Sequence, residues 1–117
     1  MDPVFLVPET TIHANGEGPA LELTAPRPQA LLVTQGITSV IEQEYLSITI
    51  EGSTDSTAWT PLTTFPQKFY VGVAAMLVDL KEHPDTAYVR AHWKVGRWGR
   101  GDKKPSFTFY VFAEPVS

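Results

Sequence analysis

The sequence predicts an all-β fold, a single antiparallel β-sandwich fronted by a proline-rich extended arm. Three observations carry this expectation. Apolar and polar residues alternate with period two in several segments, the pattern of a strand with one buried face. Short runs rich in Gly, Pro, Ser and Asp separate those segments at regular intervals, as turns between strands do. The chain has 117 residues and ten prolines, a length that supports one core and a composition hostile to long helices.

Five prolines, Pro3, Pro8, Pro19, Pro26 and Pro28, fall in the first 28 residues. Each removes a backbone donor and biases its predecessor toward extended geometry, so no helix is expected here. Residues 1–28 read as an extended arm, packed on its own domain or reaching a partner, or as a pair of edge strands at Val4–Val7 and Leu21–Leu23. Asn15-Gly16-Glu17-Gly18 between them has the chemistry of a turn. Residues 29–117 are the expected sandwich domain.

Within that domain, residues 30–34 form a plausible first strand. Leu46-Ser47-Ile48-Thr49-Ile50-Glu51 alternates cleanly and predicts a half-buried second one. Gly52-Ser53-Thr54-Asp55-Ser56 is a turn, followed by plausible strands at 58–64 and 68–73. Residues 73–83 have a helical competitor, because Val73, Met76, Leu77 and Leu80 have helix-compatible spacing before Pro84; Met76–Leu80 is read as a strand. The run from Ala87 to Val95 alternates again, sending Ala87, Val89, Ala91, Trp93 and Val95 inward and Tyr88, Arg90, His92 and Lys94 outward. In the last strand, 107–113, Phe107, Phe109, Val111 and Ala113 face inward, but the opposite face carries Tyr110 and Phe112. A strand apolar on both faces is expected to be central or covered. The predicted core is Leu46, Ile48, Ile50, Trp59, Val89, Trp93, Val95, Phe107, Phe109 and Val111.

Composition excludes several chemistries. The chain has no Cys, which removes thiolate nucleophiles, cysteine zinc sites, iron–sulfur clusters and disulfides. Its three His, at 13, 83 and 92, stand in no nucleophile, base and acid motif, so no enzymatic activity, no metal and no cofactor are expected. The loop around Asp55 has too few carboxylates for an EF-hand. The apolar runs are too short to cross a bilayer. Met1-Asp2-Pro3 opens the chain without a basic n-region, and the expected location is the cytoplasm or the exterior of a shell or virion.

Charge is uneven. Residues 90–104 hold six of the nine Lys and Arg and one acid, a local +5, whereas the remainder carries three bases against twelve acids, −9. Such a dipolar surface suits an oriented contact. The basic stretch contains Gly96-Arg97-Trp98-Gly99-Arg100-Gly101, which matches neither glycine-rich phosphate motif. Combining Trp with Arg at a hairpin tip is typical of a protein-interface anchor. Arg97, Trp98, Arg100, Lys103 and Lys104, with Tyr110 and Phe112, are therefore the candidate interaction residues. A net charge of −4 and a single basic patch argue against nucleic acid as the partner.

The order Leu46-Ser47-Ile48-Thr49-Ile50-Glu51-Gly52-Ser53-Thr54-Asp55, Trp59-Thr60-Pro61-Leu62, Tyr88-Val89-Arg90-Ala91-His92-Trp93, Pro105-Ser106-Phe107-Thr108-Phe109 resembles a recurrent small β-sandwich of tailed-phage virion proteins, over roughly residues 30–113. That family's pattern is L-x-V-x-I-x-G-S-x-D-G, then W-x-x-L, Y-V-R-x-x-W and P-S-F-T-F. Here Ser56 stands where the family often has Gly, and the basic loop is longer. The resemblance implies a jelly-roll-like sandwich of about eight strands and a head, neck or decoration protein that adheres and does not catalyse. By analogy, the same role could be played on an encapsulin shell. The function expected is decoration or cementing of a capsid-type shell protein, as a homo-oligomer and away from membranes. G-S-x-D-x-x-x-W also occurs in discoidin-like carbohydrate-binding sandwiches, so the alternative is a sugar-binding module using Trp98 and Tyr88 as stacking platforms.

Overall fold

The computed structural model describes residues 2–40, 44–66, 71–97 and 106–116. The strands among them are β1 (Val4–Ile12), β2 (Gly16–Glu17), β3 (Leu21–Glu22), β4 (Ala30–Val40), β5 (Glu44–Ser53), β6 (Thr60–Thr64), β7 (Gly72–Asp79), β8 (Tyr88–Arg97) and β9 (Phe107–Val116). They make two antiparallel sheets, ordered β1-β9-β4-β7 and β2-β8-β5-β6. β3 also pairs with β8, at Val89 and Tyr88, while β2 takes Trp93 and His92. β2 and β3 thus lie along β8 as one interrupted strand. Counted so, each sheet has four strands and the chain passes between the sheets in jelly-roll order.

The alternation seen in the sequence becomes the core. Leu46, Ile48 and Ile50 of β5, Val89, Ala91 and Trp93 of β8, and Phe107, Phe109, Val111 and Ala113 of β9 are all buried. Leu31, Val33 and Ile37 of β4 and Leu6 and Val7 of β1 complete it. Trp93 meets Phe109 edge to face at 5.4 Å, and its indole N–H donates to the Ala14 carbonyl at 3.1 Å. Gln35, on β4 opposite Ala74 and Val111, is a polar residue in the core, 1 % exposed, and among the described residues neither its amide nitrogen nor its amide oxygen has a hydrogen-bond partner.

The first 28 residues are woven into both sheets. β1 pairs with β9 from Val4↔Ala113 to Ile12↔Phe107, and β2 and β3 edge the other sheet. The turn expected at 15–18 is displaced to a bend at His13 and Ala14. Asn15 instead accepts the Val95 N–H through Oδ1 at 2.8 Å, and Gly16 lies under the Trp93 ring, where a Cβ would come within 3.0 Å of it. Glycine serves close approach there.

The helical spacing at 73–83 yields to pairing. β7 forms an uninterrupted ladder with β4 from Ile37↔Gly72 to Ala30↔Asp79, and only Leu80–Glu82 makes a 3-10 turn, capped by the Asp79 carboxylate. Eight cross-strand partners outweigh a local 3.6-residue periodicity in a segment this short. Arg27 fastens the following turn by donating to the carbonyls of Leu80, His83 and Thr86.

Two predicted core residues need correction. Trp59 is half-buried on the outside of the β2-β8-β5-β6 sheet, because the Arg90 guanidinium covers its ring at 4.2 Å. Val95 is only partly buried, at the margin of the core.

Candidate functional site

The outer faces of the two sheets differ in chemistry. On the β5-β8 side the outward residues are Ser47, Thr49 and Glu51 against Lys94, His92 and Arg90, placed directly opposite one another by the register. Arg90 donates through Nε to Glu51 at 2.8 Å while stacking on Trp59. That face is largely polar and also carries the half-buried Trp59.

The outer face of the β1-β9-β4-β7 sheet carries more apolar groups. Register places Phe5, Phe112, Thr34 and Ala75 in one row across all four strands. The neighbouring rows hold Tyr110, Gly36 and Val73, and Glu114, Leu32 and Leu77. Phe5 is 50 % exposed, Val73 70 % and Leu77 59 %.

The face holds a shallow trough of about 510 Å³ lined by Phe5, Pro8, Glu9, Thr34, Tyr110 and Phe112. Phe5 packs on Phe112 with ring centroids 4.7 Å apart and on Tyr110 edge to face at 6.0 Å. Tyr110 lies flat across Gly36, the residue opposite it, whose missing side chain leaves room for the ring. Any Cβ at 36 would overlap the ring, so glycine there shapes the trough. One end is polar. The Thr38 hydroxyl donates to Glu9 at 3.0 Å, and the Thr11 and Thr108 hydroxyls share a bond at 2.7 Å. An aromatic centre with a polar rim is the anatomy of a protein interface.

Of the candidate interaction residues, the structure brings Tyr110 and Phe112 together on this face. The backbone of Arg97 ends β8, opposite Glu44; Trp98, Arg100, Lys103 and Lys104 lie outside the described residues. Phe5, Leu32, Val73 and Leu77 were not singled out from sequence. The signal that could have found them is the doubly apolar β9, whose outer aromatics require apolar neighbours on adjacent strands.

Some of the motif residues behind the family resemblance lie elsewhere, around the β5-β6 hairpin. Asp55 accepts through Oδ1 from the N–H groups of Thr57 at 2.9 Å and Ala58 at 3.1 Å and from the Ser53 hydroxyl. Those backbone bonds, Thr57 first, hold its carboxyl below the ordinary value of 3.8. The Ser53 hydroxyl oxygen accepts from Ser56 N–H at 2.9 Å, and Ser56 has φ 62°, a left-handed conformation that suits glycine. Ser53, Asp55, Trp59 and Arg90 thus shape a hairpin and tie it to β8. Among the described residues, no group of three or more His, Asp or Glu is placed to hold a metal ion, and no helix is long and apolar enough to cross a membrane.

Compared with known proteins, the chain matches no family model and no curated sequence. The architecture defines its class: an all-β, two-sheet antiparallel sandwich.

Proposed function

We propose that this chain is a non-catalytic structural protein that decorates or cements a capsid-type protein shell, docking through the outer face of its β1-β9-β4-β7 sheet. The observation that carries the reading is the asymmetry of the sandwich. One outer face is largely polar and carries the Arg90–Glu51 ion pair, whereas the other exposes Phe5, Val73 and Leu77 beside the half-buried Tyr110, Phe112 and Leu32. Covering those groups supplies the hydrophobic drive for adhesion. The capsid-type partner rests on the resemblance of the strand motifs to those of phage virion sandwiches, and the +5 charge of residues 90–104 in an otherwise acidic sequence suits an oriented contact.

The test is co-sedimentation with purified phage-head and encapsulin shells, using wild type, Phe112→Lys and Trp98→Ala. Phe112→Lys should abolish shell binding with the fold intact. Trp98→Ala should weaken it by on the order of thirtyfold, the effect of losing a buried aromatic anchor. Equal binding by wild type and Phe112→Lys would overturn the docking face. Failure of wild type to bind either shell, with specific retention on a glycan array instead, would favour the sugar-binding alternative.

A further inference from the structure

The β7 edge carries an inference that is independent of any shell. The described sheets end in four edges, and three carry devices that discourage a further strand. β1 contains Pro8 and two register shifts. β6 is five residues long, contains Pro61 and is shifted against β5. β2 and β3 have two residues each. β7 has none of these. From Val71 to Val78 it bears no charge and no proline, and its ladder with β4 is regular.

The hydrogen-bond phase tells which groups β7 offers. The Leu80 N–H donates to the Gln29 carbonyl at 2.9 Å, and antiparallel pairs alternate between bonded and non-bonded. In the β4-β7 register, Val78, Met76 and Ala74 therefore direct their backbone groups to β4. Val73, Ala75 and Leu77 direct theirs to the open edge, and Val73 and Leu77 also have exposed side chains.

We propose that β7 pairs antiparallel with β7 of a second copy of this chain across a two-fold axis at Ala75, joining two four-stranded sheets into one of eight. The occupant is a second copy because the strand is self-complementary about that residue. Ala75 then faces Ala75 of the partner subunit, and Val73 faces the partner subunit's Leu77 in both directions. These three are bonded pairs, and together they exchange about six backbone hydrogen bonds. On the inner side Met76 meets Ala74 of the partner subunit, long against short. A two-fold axis brings like residues together, so a charge near it would meet its own copy, and this acidic chain has none between Val71 and Val78.

The experiment is sedimentation velocity of the full chain over roughly 1–200 μM, with folding checked by circular dichroism. Wild type should reach twice the 12.9 kDa chain mass. Val73→Lys with Leu77→Lys should weaken the dimer at least tenfold, because lysines would oppose across the axis. Val73→Lys with Leu77→Glu places opposite charges in register and should restore most of the affinity. Wild type that stays monomeric at the highest concentration overturns the proposal, as does a dimer indifferent to the double lysine variant or one not restored by the charge swap. Since no shell is present, failure here and failure of shell docking are separate results.

Discussion

Gln35 offers the sharpest test of the packing. It is 1 % exposed, lies in the middle of β4 and finds no partner for either polar end of its amide among the described residues. Burying an unpaired polar group costs about 1–3 kcal/mol on protein mutational scales. Methionine has nearly the same length and shape and no hydrogen-bonding demand. Gln35→Met should therefore raise stability by about 1–3 kcal/mol, with Gln35→Leu close behind. For a domain of this size each kcal/mol moves Tm by roughly 4 °C, so the expected rise is about 4–12 °C. Thermal melts and urea titrations read this directly, with the urea midpoint rising at unchanged slope. Gln35→Glu is the opposing control, because a buried unpaired charge must destabilise. If both apolar variants melt below wild type, the amide contributes to the native state and this account of the core is wrong.

Arg27→Ala should cost about 1–2 kcal/mol in urea unfolding, since three carbonyls of the turn after β7 lose a cationic donor; Arg27→Lys should recover only part, and a neutral alanine variant would show the turn to be held otherwise. Ser56→Gly should stabilise by up to about 1 kcal/mol by relieving its φ of 62°, and a lower Tm would contradict that strain. Asp55 should titrate below 3.8, measured by NMR at its carboxyl carbon. A lowered folded pKa contributes stability that is fully present above the unfolded value and is lost as pH falls through the folded one, so the hairpin should loosen only below about pH 4. A midpoint at or above 3.8 would mean that the Thr57 and Ala58 amides do not hold the carboxylate.

Much of the sandwich was legible in the chain. Leu46, Ile48 and Ile50, and Val89, Ala91 and Trp93, point inward because side chains of a strand alternate faces whatever surrounds them. β9 is central, between β1 and β4, as its two apolar faces require. Other features depended on neighbours far away in sequence. Trp59 lies outside the core because Arg90, on a strand 31 residues later, covers its ring. Gly16 serves the indole of Trp93, and Gly36 serves the ring of Tyr110. The candidate docking face had the same origin. Phe5, Thr34, Ala75 and Phe112 stand in one row only because the jelly-roll order puts β1, β9, β4 and β7 side by side. Period-two patterning states which residues share a face of their own strand. Which strands share a sheet, and so which apolar faces merge or remain open at an edge, is decided by long-range pairing that alternation within one strand does not encode.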